Sequence, residues 1–167
     1  MKIISGGQSG ADLAGNRFAK KHGFETEINA EYNYKPLYEE VPKDIKINIV
    51  TSKIGSSGGW VERRKYNVVH SDLTLILLNK PIMKTRGSKG TASDCQRYLK
   101  NYVYVDIYKK TGICQCYTIK NHGVIKGISC MKQIMEDLSP EVINIAGQRD
   151  LKEADAIRFL EDVFINK

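Results

Sequence analysis

Short apolar runs alternate along the chain with stretches of helical spacing, and this alternation sets its organisation. Residues 1–4 are β-rich and stop at Gly6-Gly7; after Gly10, residues 11–21 have the spacing of a helix. A helix is predicted over 60–70, followed by the apolar run 73–78, of the kind buried in a parallel sheet. Residues 81–89 read as a loop, with a helix starting at Gly90-Thr91 and running through 101. Strands are predicted at 103–107 and 142–145, and helices at 132–138 and 153–164. Residues 24–42 are tyrosine-rich and read as an irregular, ligand-facing loop, with a short strand at 45–49 or that segment as part of the same region. Residues 52–59, with three glycines and three serines, read as flexible, and 109–126 as a hairpin insertion. Strands separated by helices predict an α/β fold, a Rossmann-like parallel sheet flanked by helices with right-handed crossovers. We expect one domain over residues 1–167, without internal repeat or linker, with the first strand central in the sheet.

Composition narrows the class. A 167-residue chain, 41% hydrophobic and 27% charged, is long enough to bury a core and has the balance of a soluble globular protein. No apolar run approaches the roughly 18 residues of a membrane span, and the chain enters a strand without signal-peptide architecture, so the expected location is cytoplasmic. The net charge of +7 is spread over Lys20-Lys21, Arg63-Arg64-Lys65, residues 84–89 and Lys109-Lys110. With no block of five or six like charges, an anionic small ligand is favoured over nucleic acid. Cysteines 95, 114, 116 and 130 lack CxxC spacing and histidines 22, 70 and 122 form no ligand pattern, so no metal site is expected. No cofactor follows from the sequence.

The candidate chemistry lies where strands give way to glycines. In open α/β sheets ligands bind beyond the carboxyl ends of the strands. Three segments fall there: Ser5-Gly6-Gly7-Gln8-Ser9-Gly10-Ala11-Asp12, Arg86-Gly87-Ser88-Lys89-Gly90-Thr91, and Ala146-Gly147-Gln148-Arg149-Asp150. A glycine turn before a helix brings unpaired amides and a partial positive charge to an anion, and arginine grips phosphate or carboxylate with two donors. The first segment does not fulfil the GxGxxG dinucleotide pattern. Asp12 is either a first-turn helix acid or a ligand contact.

Four strings, SGGQSGAD, WVERRKYNVVHSDLTLI, GSKGTASD and VINIAGQRD, resemble the family called "putative molybdenum carrier", of the wider Rossmann-like SLOG group. The resemblance runs from residue 3 to about 164. It implies a SLOG-type fold and a nucleotide-derived ligand or a phosphate-bearing pterin such as molybdenum cofactor. The group includes the LOG-type nucleotide phosphoribohydrolases, which show an Arg-Lys pair before a buried strand and then PGGxGTxxE. By that similarity the catalytic acid maps to Asp94, and the catalytic arginine to Arg63 or, in the other register, Arg64. There the carboxylate would assist attack of water at the ribose C1′ and the arginine would steady the site. The chain departs at Arg86 and Ser88, which replace the proline and second glycine, and Asp94 is one methylene shorter than glutamate. It also has His70 where the family carries an acid, and little family pattern over 24–59.

The expectation is therefore a carrier, sensor or sequestering protein for a phosphorylated nucleotide-like or pterin small molecule. The ligand would be held by Ser5, Gly6, Gly7, Gln8, Ser9, Gly10, Asp12, Gly87, Ser88, Lys89, Gly90, Thr91 and Arg149, with Tyr32, Tyr34 or Tyr38 stacking on a ring. Gly90 and Thr91 would act through a helix start. The alternative is a LOG-like enzyme cleaving the N-glycosidic bond of a nucleoside monophosphate through Arg63 and Asp94. Nucleic-acid binding is the third reading, and a homodimer is suggested only by analogy with the fold.

Overall fold

The computed structural model describes residues 1–32, 34, 41–42, 44–54, 58–117 and 123–166. In chain order the elements are β1 (Lys2–Ser5), α1 (Ala11–Lys21), β2 (Glu25–Glu31), β3 (Lys46–Thr51), α2 (Gly59–Val69), β4 (Leu73–Leu78) and a 3-10 turn (Ile82–Lys84). They continue with α3 (Arg86–Arg97), β5 (Asn101–Asp106), β6 (Thr111–Gln115), β7 (Ile125–Lys126), α4 (Ile128–Leu138), β8 (Val142–Gly147) and α5 (Glu153–Phe164). The strands form one eight-stranded sheet, β3-β2-β1-β8-β4-β5-β6-β7. Its first six members run parallel; β6 and β7 add antiparallel at the β5 edge, as the hairpin over 109–126 predicts. The result is a mixed-sheet, Rossmann-like α/β fold, with β1 inside the sheet between β2 and β8.

Strand parity divides the core. Ile3, Leu73, Leu75, Leu77, Val103, Val105, Ile143 and Ile145 pack with α1, α4 and α5 on one face. Ile76, Leu78 and Tyr102 meet Val68 of α2 and Ala92 and Cys95 of α3 on the other. Successive residues of a strand point to opposite faces, so Asn144 of β8 faces the α2/α3 side while its neighbours Ile143 and Ile145 face α1.

Three expectations are corrected. Residues 24–42 are not all loop, since β2 occupies Glu25–Glu31 and runs parallel to both β1 and β3. The strand is easy to miss because its α2-facing positions are polar. Each of these finds a partner: Glu27 accepts from Lys2 Nζ at 2.9 Å, Asn29 donates to Asn67 Oδ1 at 2.8 Å, and Glu31 accepts from Trp60 Nε1 at 3.1 Å. Ile28 and Ala30 supply the apolar face, packing with Leu13 and Ile45. The segment Arg86–Thr91 is not a turn but the first part of α3, so the helix starts four residues before Gly90. Gly90 serves packing instead: a Cβ there would lie 2.6 Å from an Arg64 guanidinium nitrogen. The helix also stops at Arg97, and β5 begins at Asn101, not at 103. Tyr38, the last of the three suggested stacking tyrosines, lies outside the described residues, as does His122.

Two loops at the carboxyl edge of the sheet are pressed together. Gly10 has φ 75°, and a Cβ there would run into the carbonyl oxygens of Gln148 and Arg149. The Ala11 N–H donates to that Gln148 oxygen at 3.1 Å, tying the start of α1 to the β8–α5 loop. Gly10→Ala is therefore expected to destabilise the fold by at least about 2 kcal/mol, from the positive φ together with the clash. Urea unfolding of the variant against Gly23→Ala checks this: Gly23 also has a positive φ (72°), but its Cβ would meet nothing.

Candidate functional site

Beyond the ends of β1 and β8, on the α2/α3 face, lies a cavity of about 450 Å³. The strands bring Gly6, Asn144, Ala146 and Gly147; α2 brings Trp60, Val61, Arg63, Arg64 and Asn67; α3 brings Arg86, Gly87 and Thr91. Gln8, Asp12 and Arg149 close it. Four arginines thus face one carboxylate. A shallower recess of about 250 Å³ adjoins it, sharing Gln8, Gly87, Gly147 and Arg149 and adding Lys84, Ser88 and Gln148 among others.

Arg63 is the most constrained of these side chains. It is 6% exposed and lies against Gly6, where a Cβ would stand 2.8 Å from its Nε and 2.9 Å from Asp12 Oδ2. Burial lowers the Arg63 pKa from its usual value, while the charges of Asp12 and Glu31 oppose that shift. Asp12 is pushed up to about 6 by burial, with Arg63 pulling the other way. Its Oδ2 accepts from the Gln8 N–H at 3.3 Å. Arg64 donates from Nε to Asp94 Oδ2 at 2.6 Å, across the space that Gly90 leaves open. Arg149 donates from Nε to Gln8 Oε1 at 2.7 Å and lays its guanidinium over Trp60, 5.2 Å from the ring centroid.

The predicted residues separate sharply. Gly6, Gln8, Asp12, Arg63, Gly87, Thr91 and Arg149 come together around the cavity, and Ser88 joins them from the recess. Ser5 points instead to the α1 face, where it donates to Asn16 Oδ1 at 2.5 Å and accepts from the Gly7 N–H at 3.0 Å. Gly7 (φ 69°) is covered by Tyr34, whose hydroxyl donates to its carbonyl. Ser9, Gly10, Lys89, Gly90 and Asp94 do not line the cavity. The amides of Gly7, Gln8 and Ala11 are already bound by Ser5, Asp12 and Gln148, so the glycine segment is mostly a self-satisfied turn. The starts of α2 and α3 both carry no side-chain cap and both reach the site, α2 through Trp60 and Val61 at the cavity and α3 through Gly87 and Ser88 at the cavity and its recess.

Trp60, Val61 and the cavity-facing role of Asn67 and Asn144 were not legible as site features. Asn144 donates to Thr74 Oγ1 at 3.3 Å, but its Oδ1 is buried without a partner, as is Nε2 of Gln148 on the recess wall. Neither signal is visible until strand parity decides which way each side chain faces. Among the described residues no group of three or more His, Cys, Asp or Glu could hold a metal ion, and no helix is long and apolar enough to cross a membrane.

Comparison with known proteins fits this architecture. A solved structure from Syntrophus aciditrophicus SB, described as a "Putative molybdenum carrier protein", superposes with a TM-score of 0.72 at 24% identity. The match covers 98% of this chain and 94% of that one. Among curated proteins none matches. Residues 3–166 match the family described as the "Circularly permutated YpsA SLOG family", and the chain belongs to that family.

Proposed function

We propose that the protein binds a phosphorylated small molecule, nucleotide-like or pterin-like, in the arginine-lined cavity and acts as a carrier, sensor or sequestering protein. The observation that carries this reading is that four arginines and one carboxylate line the same cavity at the carboxyl edge of the sheet. A cavity of about 450 Å³ lies within the usual range for small-molecule sites. Arg63 is buried beside Asp12 and Glu31 and Arg64 is paired with Asp94. Arg86 and Arg149, in contrast, are exposed, and a bound phosphate would offer these two an anionic partner. The uncapped start of α3 would add amide donors and a favourable dipole, and Gln148 Nε2 an unused donor.

The hydrolytic alternative fits less well. Asp94 is 4% exposed, and one of its oxygens is held by Arg64. Asp12 is the carboxylate that faces the cavity. Carriage without turnover is therefore the expected behaviour.

Thermal unfolding against nucleoside monophosphates, cyclic nucleotides, ADP-ribose derivatives, pterin phosphates and molybdate tests the reading. A ligand at about a hundred times its Kd stabilises the fold by roughly 2.7 kcal/mol. The hit is expected back unchanged; release of free base that Asp94→Asn abolishes would instead establish the hydrolase. No shift with any compound would remove the phosphate reading. Arg149→Ala and Arg86→Ala, both at exposed positions, are each expected to weaken the hit about tenfold or more by removing a charge-assisted contact.

Asp12 makes binding depend on pH. With the site empty it ionises near pH 6, and an anion beside it disfavours the ionised form further. Anion binding therefore takes up a proton, and affinity rises as the pH falls through that range. Sulfate is the suitable probe because its own charge is constant there. Its affinity should be higher at pH 5 than at pH 8 in the wild-type protein, and Asp12→Asn should flatten the profile.

A further inference from the structure

Trp60 is the cavity side chain that an anion site does not explain. It is the chain's single tryptophan, stands at the second position of α2, lines the cavity and is 40% exposed. Its orientation is nevertheless fixed. Nε1 donates to Glu31 Oε1 at 3.1 Å, and the carboxylate that receives it is buried on β2. The preceding residue, Gly59, packs so closely against Glu31 and the Lys53 backbone that no Cβ would fit. An exposed indole held in one position is a preorganised surface, because little side-chain freedom is left to lose on binding.

What covers the indole is informative. The planar guanidinium of Arg149 lies over the ring at 5.2 Å, and its Nε is fastened to Gln8 Oε1. A flat cation on an aromatic face is a familiar pairing, and here it marks the place where another flat group fits. Of the tyrosines expected to stack, the two that the structure describes do not compete for this role. Tyr34 is committed through its hydroxyl to Gly7, and neither Tyr32 nor Tyr34 lines the cavity.

We propose that Trp60 is the stacking platform for a planar heteroaromatic ring on the phosphorylated ligand, the ring taking the place that the Arg149 guanidinium holds over the indole. This rests on the reading of the cavity as a phosphate site. Arg149, displaced from the ring, stays at the cavity wall and is released to pair with the anion. Ring and phosphate recognition are thus linked through one side chain. A sugar phosphate without a base fills the anionic part and leaves the indole to Arg149.

Adenosine 5′-monophosphate and ribose 5-phosphate separate the two parts, with binding followed by titration calorimetry and by fluorescence. Because Trp60 is the single tryptophan, tryptophan emission reports on this ring. The nucleotide should quench it and bind the wild-type protein about tenfold or more tightly than ribose 5-phosphate. Trp60→Ala should remove that advantage, weakening the nucleotide by about tenfold while leaving ribose 5-phosphate within about twofold. Trp60→Phe, which keeps a stacking face and guards against a folding defect, should retain most of the nucleotide affinity. Equal wild-type affinity for the two compounds, an equal loss of both in Trp60→Ala, or an unchanged nucleotide affinity in that variant would overturn the stack. Retained ribose 5-phosphate binding in those cases leaves the phosphate site standing; failure of the wild-type protein to bind either compound overturns the nucleotide stack, and failure with the whole panel above overturns the phosphate site as well.

Discussion

The site is organised around a charge that cannot be neutralised. Arginine keeps its proton at any ordinary pH, yet Arg63 is almost fully buried at the end of β1. Asp12 and Glu31 provide opposing charge, and Gly6 provides room by having no side chain. The compensation is incomplete. Burial acts on Asp12 as well and outweighs the pull of Arg63, so the carboxylate holds its charge less readily than a free one. Buried ion pairs seldom add net stability over apolar packing, so this arrangement is hard to explain as a stabilising device. Together with Arg64, Arg86 and Arg149 on the same walls, it is the feature on which the proposed anion site rests.

That constraint also changes the meaning of the glycine segment. Residues 5–12 look like a phosphate cradle, but the Gly7, Gln8 and Ala11 amides are used within the protein. The glycines serve approach: Gly6 to Arg63 and Gly10 to the β8–α5 loop. The segment is thus a support that holds Arg63 and Asp12 in place and locks α1 to the loop carrying Arg149. On the proposed reading the contacts to an anion therefore come from guanidinium groups more than from the amides of this segment.

Elements with one unambiguous pattern were legible in the sequence, including β4, where every position is buried, and α5, whose bounds match the predicted helix. Strand β2 was obscured because Glu27, Asn29 and Glu31 are buried polar residues, each satisfied by a partner distant in sequence. The start of α3 was obscured because Gly87 and Gly90 suggest a turn, whereas Gly90 makes space for Arg64. Three of the segments that line the cavity were legible, but the part played by the start of α2, and which side chains face the cavity, were not. That depends on parity and register: Ser5 and Asn144 lie on neighbouring parallel strands yet point to opposite faces. The Trp60 platform depends on Glu31, a residue 29 positions away on a strand that the sequence concealed.

The Arg64–Asp94 pair shows how a shared motif can be put to another use. A carboxylate that assists water attack needs an oxygen available at the reacting centre. Here Asp94, a methylene shorter than glutamate, is buried against α3, and Arg64 crosses Gly90 to reach its Oδ2 at 2.6 Å. The short carboxylate, the glycine and the arginine make one packing unit, with Arg64 at the cavity wall and Asp94 behind it. In that geometry Asp94 fixes the direction of the Arg64 side chain at the cavity wall. Under the proposed function this pair steadies Arg64 at the wall of an anion site, an arrangement that suits carriage better than bond cleavage.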